Sequence, residues 1–272
     1  MRTLVLIKQV PETGSVRMDE STGTVVREGV ESILNPLDLY ALELALTIRA
    51  ERGGEVVVLS MGPPKAEDAL REALAMGADG AALVTDKAFA GSDTWATSRI
   101  LSRAVESLGD FDLILCGERA TDGDTGQVGP GVAAFLGIPF AAYANRLHAI
   151  SEKRFVVSRL LDGGEEKIEV PLPALATVVK EISSPRLPTL IGKRRARDAE
   201  IAVLSNADLR LSPDDVGLRG SPTRVARIYR PRVSRNCEKK RAGAPEEMDL
   251  AVERLEAFLD ERGSAPKSRG AL

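Results

Sequence analysis

Short runs of apolar, often β-branched residues alternate with segments of helical periodicity over the first half of the 272-residue chain. Such near-continuous apolar runs are typical of strands buried on both faces of a parallel sheet. Strand and helix in alternation predict right-handed βαβ units and a doubly wound, Rossmann-like α/β domain. The predicted strands are Leu4–Ile7, Val56–Met61, Ala81–Thr85 and Leu113–Cys116, and the predicted helices are Asp38–Arg52, Ala66–Met76 and Thr94–Leu108.

The pattern changes after residue 138. Phe155–Leu161 and Lys167–Val170 flank the turn sequence DGGE, which predicts an antiparallel hairpin added to the parallel sheet. Residues 185 to 241 are rich in Arg, Pro and Ser with little periodicity, and this predicts an extended arm without core elements. We therefore expect an α/β domain over 1–185, an arm over 186–241, an amphipathic helix over 242–262 whose helical pattern runs from Glu246 to Arg262, and a disordered tail over 263–272.

Composition excludes several classes of function. Aromatic residues make up 4% of the chain and the net charge is −3, which disfavours nucleic acid as a partner. Two cysteines and one histidine cannot build a zinc site of the usual kind. Cys116 is expected to be a buried small hydrophobe, and His148 is expected to have no partner nearby. No run reaches membrane-spanning length and the N-terminal apolar run is too short for a secretory signal, so we expect a cytoplasmic protein.

The segment ERATDGDTGQVGPGVAAFLG, residues 118–137, is too long and polar for a plain connection between a strand and a helix. Its glycines would let backbone N–H groups face a phosphate, and a helix N-terminus would add positive potential. Thr125 and Gln127 can donate to phosphate oxygens, while Asp122 or Asp124 could accept from ribose hydroxyls. The sequence therefore favours nucleotide binding over a capped loop without a ligand.

The start of the following helix has two readings. Asp124 could cap it, with Gln127 three residues on reciprocating as in a capping box. Pro130 instead favours a later start, with proline at the first helical position.

Common nucleotide fingerprints are absent. The chain has no G-x-x-x-x-G-K-[ST], and KQVPET follows the first strand where G-x-G-x-x-G would stand. The S-G-G-x-D-S motif of ATP-using enzymes of the related α-hydrolase fold is also missing. Any nucleotide is therefore bound by another scheme.

Several motifs resemble, in family order, the β subunit of electron transfer flavoprotein. They are VLIKQVPET, ILNPLDLYALELAL, ALAMGAD, SRLLDGGEEKIEVPLPALATV and SPRLPTLIGKRRAR. The resemblance implies an adenine-nucleotide α-hydrolase-like fold with a C-terminal arm that embraces an α subunit. That α subunit would hold an FAD of its own.

The family has two branches. In one, the β subunit holds AMP as a structural element and the heterodimer serves acyl-CoA dehydrogenases. In the other, a second FAD in the same pocket accepts hydride from NADH and bifurcates electrons between a high-potential dehydrogenase or quinone side and low-potential ferredoxin or flavodoxin. The run Asp122–Pro130 is similar to the bifurcating D-G-D-T-x-Q-V-G-P, so FAD is expected. GERAT over 117–121 departs from the R-Q-A-I-like run of the family and places a carboxylate, Glu118, near the entry.

The resemblance also implies site residues. Part of the glycine loop, which lies within residues 118–137, would surround the phosphates, and Asn35 and Asp122 would contact the sugar or the ring edges. Each assignment has an alternative. Asn35-Pro36 is also an ordinary turn that leads into a helix, and Met61 is also a residue that fills the core. Leu190 would anchor a dehydrogenase, and no catalytic side chain or metal ligand is expected. The implied nucleotide pocket comprises Leu6, Lys8, Asn35, Asp38, Met61, Ala120, Thr121, Asp122, Gly123, Asp124, Thr125, Gly126, Gln127, Val128, Gly129 and Pro130, of which Gly123, Thr125, Gly126, Gln127 and Val128 would face phosphate.

Overall fold

A computed structural model describes residues 1–12, 17–18, 25–26, 31–226, 239 and 243–261, with the backbone alone at 17–18 and 25–26. The chain forms two compact units, Met1–Ile228 and Tyr229–Leu272. The strands are β1 (Arg2–Leu6), β2 (Gln9–Pro11), β3 (Arg17–Met18), β4 (Val25–Val26), β5 (Ser32–Leu34), β6 (Glu55–Met61), β7 (Gly80–Val84), β8 (Leu113–Gly117), β9 (Phe140–Ile150), β10 (Arg154–Leu161), β11 (Gly164–Pro171), β12 (Ala174–Val178) and β13 (Ala202–Leu204). The α-helices are α1 (Pro36–Arg52), α2 (Glu67–Met76), α3 (Thr94–Leu108), α4 (Val128–Leu136), α5 (Leu190–Asp198), α6 (Asn206–Leu209), α7 (Gly217–Gly220) and α8 (Pro245–Glu261).

A nine-stranded sheet in the order β11-β10-β9-β12-β8-β1-β6-β7-β13 organises the first unit. Strands β9, β12, β8, β1, β6, β7 and β13 run parallel, and β10 and β11 continue the sheet in antiparallel pairs. β1 lies centrally, with Val5 opposite Val58 on one side and Leu115 on the other. The prediction of a mainly parallel α/β sheet with an added hairpin is confirmed.

Side chains alternate between two core layers because successive residues of a strand point to opposite faces. Val5 packs on the layer that contains α1 and α2, together with residues of the β9–β11 segment. Leu4 and Leu6 pack on the layer that contains α3 and α4. Helices thus cover both faces of the sheet, as in a doubly wound fold.

Local sequence signals explain the first helices. α1 has proline at its first turn and Arg49 and Arg52 in its last, where they complement the helix dipole, and its C-cap is Gly53 at φ 71°. The Asp93 side chain accepts from the Ala96 N–H and caps α3. The strands and helices predicted over residues 1–117 are confirmed with boundary changes of a few residues.

The expectation that 186–241 contributes nothing to the core needs correction. α5 and β13 fall inside this segment, and β13 forms an edge of the main sheet by parallel pairing with β7. Both signals are weak in the sequence because β13 has three residues and α5 buries only Ala196. Residues 227–238 and 240–242 lie outside the described part of the chain, as does the predicted tail over 263–272.

α8 confirms the predicted final helix over its described residues. Its apolar side chains Met248, Leu250, Leu255 and Phe258 are all at least 43% exposed. No helix among the described residues is long and apolar enough to cross a membrane. The described residues also hold no cluster of three or more side chains fit to bind a metal.

Candidate functional site

The carboxyl ends of β1 and β8 meet at the centre of the sheet, where doubly wound folds bind ligands. The loop over residues 118–127 leaves β8 there and enters α4. The Glu118 N–H donates to the Val178 carbonyl at 3.0 Å, so the loop starts from the end of β12 as well. Residues Thr121 to Thr125 are exposed, and the loop therefore presents its polar groups outward.

Asp38 joins the ends of β1 and β8. Its carboxylate accepts from the Lys8 N–H at 2.9 Å and from the Gly117 N–H at 3.0 Å. The residue is buried. A Cβ on Gly117 would lie 2.6 Å from Asp38 Oδ1 and 2.7 Å from the Leu37 carbonyl carbon, so only glycine fits there. Asp38 thus positions two strand ends, and its carboxylate oxygens are already engaged by the chain itself.

Burial raises the pKa of Asp38 from 3.8 to about 7, against hydrogen bonds from Asn35, Lys8 and Gly117 and the Lys8 charge, which lower it. Burial, followed by the nearby Asp38 charge, also raises the pKa of the Cys116 thiol far above its ordinary range. The prediction of a buried Cys116 is confirmed, because its side chain is 7% exposed.

Asn35 fixes the beginning of the glycine loop. Its Nδ2 donates to the Arg119 carbonyl at 3.0 Å, and its Oδ1 accepts from the Thr121 N–H at 3.2 Å. Its backbone N–H donates to the Lys8 carbonyl at 2.8 Å. These hydrogen bonds hold the loop against the end of β1. Asn35 is fully buried, so its amide is not presented to a bound molecule.

Lys8 and Asp122 form the charged centre of the site. Lys8 Nζ lies 2.8 Å from both oxygens of the Asp122 carboxylate. Both side chains keep part of their surface open to solvent. The Lys8 ammonium can bind an anion if its contact with Asp122 breaks, or if it donates to Asp122 and to the anion at the same time.

The loop turns by means of two left-handed residues. Asp124 has φ 54° and Gly126 has φ 62°. The Asp124 N–H donates to the Ala120 carbonyl at 2.9 Å, and the Asp124 carboxylate pairs with Arg119 Nε at 3.1 Å. A left-handed aspartate is uncommon and is tolerated here because its side chain and backbone are both bonded within the loop.

α4 begins at Val128, with Gln127 as N-cap and no side-chain cap bond. Neither reading of the helix start is correct: Asp124 does not cap the helix, and Pro130 is the third helical residue. Gln127 instead accepts from the Thr94 hydroxyl at 3.0 Å, which ties the loop to α3. A Cβ on Gly129 would lie 2.7 Å from a Thr177 methyl carbon, so α4 packs tightly on β12.

Two implied pocket residues, Leu6 and Met61, lie in the core instead of at the Lys8–Asp122 centre. Leu6 is buried in the layer beneath α3 and α4, and Met61 packs on the same layer at the end of β6. A Cβ added to Gly123 would have no atom of a non-adjacent residue within 4 Å, so there is open space beside the loop at this position. One network of hydrogen bonds therefore connects Lys8, Asn35, Asp38, Thr121 and Asp122. The remaining implied residues of the loop lie around this network.

These residues fit a nucleotide diphosphate or monophosphate. The Lys8 ammonium and the exposed Thr125 hydroxyl can donate to phosphate, and the N-terminus of α4 follows the loop and adds positive potential. Sequence reasoning missed Thr94, whose role depends on a contact 33 residues away in the chain.

Leu190 is the first residue of α5 and is 86% exposed to solvent. Its neighbours Leu187 and Ile191 are exposed to a similar extent. Thr189 caps the helix by accepting from the Gly192 N–H at 2.9 Å. Arg186 anchors the preceding segment through Nε and Nη2, each 2.8 Å from a Glu43 carboxylate oxygen. The segment that carries this apolar surface is thus held by an ion pair whose carboxylate is largely buried and whose guanidinium is partly exposed.

His148 has no partner within local reach of the sequence, but the fold supplies one across the sheet. Its Nε2 lies 2.8 Å from the Ser158 Oγ, because the antiparallel register of β9 and β10 brings the two side chains together.

Comparison with known proteins identifies the family. Residues 22–209 match the electron transfer flavoprotein domain. The chain is 48% identical over 256 residues to the electron transfer flavoprotein subunit beta of Thermoanaerobacterium thermosaccharolyticum, covering 94% of this chain and 98% of that one. It is 48% identical over 232 residues to the caffeyl-CoA reductase-Etf complex subunit CarD of Acetobacterium woodii, covering 85% and 88%. It is 42% identical over 238 residues to protein FixA of Azorhizobium caulinodans, covering 85% of each. The chain therefore belongs to the electron transfer flavoprotein family, among its β subunits.

Proposed function

We propose that this chain pairs with an α subunit and binds FAD at the carboxyl ends of β1 and β8. The observation that carries the proposal is the Lys8–Asp122 centre beneath a loop of the sequence DGDTGQVGP. Similarity to a subunit of a caffeyl-CoA reductase-Etf complex and to FixA supports the assignment to the bifurcating branch.

Each part of the site has a separate task. The Lys8 ammonium and the N-terminus of α4 bind the pyrophosphate, with Thr125 donating its hydroxyl proton. Asn35 and Asp38 position the loop and the two strand ends without contacting the nucleotide. Asp122 holds the Lys8 side chain in place and accepts from a ribose hydroxyl when the ammonium turns to phosphate.

The bound FAD would supply the redox chemistry, taking hydride from NADH and passing electrons to high-potential and low-potential acceptors. In this role the chain would need no general acid or base of its own. Its contribution is to bind, orient and fix the charge around the nucleotide.

Leu187, Leu190 and Ile191 form a surface that we propose docks a dehydrogenase. Three large apolar side chains more than 80% exposed on one short segment are unusual in a chain without a partner. α8, with its exposed apolar face, would lie on the α subunit in the same assembly.

Anaerobic titration of the purified heterodimer with NADH tests the function. We expect flavin absorbance to bleach with more than one FAD reduced per heterodimer, and NADPH serves as the comparison. A flavin spectrum that NADH leaves unchanged would refute the bifurcating assignment while leaving family membership intact.

A further inference from the structure

A cavity of about 560 Å³ lies between β9, α1 and the turn Lys180–Ile182, apart from the glycine loop. Thr47 and Glu51 of α1 form one wall, and residues 145–150 of β9 form the other. None of the proposed nucleotide or dehydrogenase contacts lines it. The cavity therefore requires its own explanation.

Asn145 lines this cavity and carries an unsatisfied acceptor. The residue is 7% exposed, and its Nδ2 donates to Glu165 Oε1 at 2.6 Å. Its Oδ1 is buried and has no hydrogen-bond partner among the described residues. Turning the amide over would place Oδ1 against the Glu165 carboxylate, which can only accept, so the orientation is fixed. A buried acceptor without a donor is costly and marks a place where a donor is missing.

The backbone beside the cavity is also open. Pairing of β9 with β12 ends at Ala144, opposite Val178, after an irregularity in the register. Tyr143 has φ 54° at this point, so β9 bends and continues alone on that side. Over 145–150, β9 pairs only with β10 among the described strands. This is a sheet edge facing a cavity, which is the geometry of an interface rather than of a closed core.

Charge indicates which donor fits. Glu51, Glu165 and Glu181 line the cavity together with Arg52 and Arg146. Glu165 makes no ion pair with any described residue, and its carboxylate lies beside the Asn145 acceptor. Asn145 Oδ1 and the negatively charged Glu165 carboxylate are thus two adjacent acceptors. A guanidinium or ammonium group suits them because its N–H groups can donate to both. Arg52 and Arg146 also lack ion pairs in the described chain and are available to carboxylates beside the entering group.

We propose that an arginine or lysine side chain of the α subunit enters this cavity and donates to Asn145 Oδ1 beside the Glu165 carboxylate. This inference rests on the proposed pairing with an α subunit and assigns one contact of that interface. Removing either acceptor then weakens association, and the loss is greater at low salt because the contact is ionic.

The test compares the affinity of the α subunit for the wild-type chain and for Glu165→Gln, Asn145→Leu and Glu169→Gln. Glu165→Gln keeps a hydrogen-bond acceptor for Asn145 Nδ2 and removes only the charge. Glu169→Gln makes the same change farther along β11, where Glu169 pairs with Arg154 at 3.1 Å outside the cavity. We expect about tenfold weaker binding for the first two at low salt and less than about twofold for the third.

Each result is decisive. Equal affinities for Glu165→Gln and wild type overturn the inference even if Asn145→Leu fails to fold. Stabilisation of the isolated chain by agmatine, a free guanidinium probe, with unchanged affinity for the α subunit also overturns it, because the occupant is then a free cation. Failure of the wild-type chain to bind an α subunit removes the proposed function itself, which is a different result from a contact wrongly assigned.

Discussion

Replacing the buried Asp38 by asparagine should change how the free energy of unfolding depends on pH. The carboxylate joins β1 to β8 by accepting from the Lys8 and Gly117 N–H groups. Other titratable groups nearby are the Lys8 ammonium, the Cys116 thiol and, through Lys8, Asp122. Asp38→Asn keeps the size of the side chain and removes its titration.

Burial raises the pKa of Asp38 from 3.8 to about 7, so the folded chain binds more protons than the unfolded chain between these values. The stability contributed by this group is fully present below pH 3.8 and is lost as the pH rises through about 7. At about 1.4 kcal/mol for each pH unit, the wild-type chain loses about 4 kcal/mol relative to Asp38→Asn across this window. The amide carries a cost of its own, because its NH₂ group faces a backbone N–H, but that cost does not vary with pH.

Urea unfolding of both proteins at a series of pH values from 4 to about 8 measures the effect, because groups common to both cancel in the difference. The exposed Asp110→Asn variant controls for a change of one net charge. We expect the unfolding free energy of the wild type minus that of the variant to fall as the pH rises. A difference that stays level, or that rises with pH, would contradict a raised pKa of Asp38 in the folded chain.

Four further changes have expected outcomes. Lys8→Ala should lower nucleotide affinity about tenfold, measured by equilibrium release, because one charged donor to phosphate is lost. Gly117→Ala should destabilise the fold by about 1–3 kcal/mol in urea, since the new Cβ meets the Leu37 carbonyl carbon at 2.7 Å. Arg186→Ala should cost about 1–2 kcal/mol, because the Glu43 carboxylate loses the guanidinium and keeps only the backbone N–H at position 186 and the Thr47 hydroxyl as donors. Leu190→Ala should slow electron transfer to a dehydrogenase several-fold without changing the heterodimer spectrum.

Matched variants decide whether these effects are specific. Lys153→Ala removes an exposed lysine between β9 and β10, outside the Lys8–Asp122 centre, and should leave nucleotide affinity unchanged. Gly163→Ala adds a Cβ where no atom lies within 4 Å and should be nearly neutral. Leu218→Ala truncates another exposed leucine, outside the Leu190 surface, and should leave electron transfer at the wild-type rate. Equal losses in a variant and its control would count against the assigned role.

Periodicity predicted the first half of the fold well because each element carries its own signal. α3 matches its predicted bounds, Thr94–Leu108, since Asp93 caps its start and Gly109 ends it. β13 has no such signal: three residues at a sheet edge are defined by pairing with β7, which the local sequence cannot show.

The sequence predicts a nucleotide site at the glycine loop, but the geometry of the loop could not be predicted from it. Asp124 adopts a left-handed conformation because of bonds to Arg119 and Ala120, and the start of α4 follows from the contact of Gln127 with Thr94. Arg186 and Glu43 pair across 143 positions of sequence. Such contacts form only in the assembled fold. Patterns in a single sequence do not show which residues far apart in the chain come together in space.

The FAD that we propose beside Lys8 would be the second flavin of the heterodimer. To test this, the chain is co-expressed with its α subunit, the purified heterodimer is denatured, and the released FAD and AMP are quantified by chromatography. We expect two FAD and little AMP per heterodimer. One FAD with one AMP would contradict the proposal and identify this chain as the AMP-holding β subunit of a conventional electron carrier.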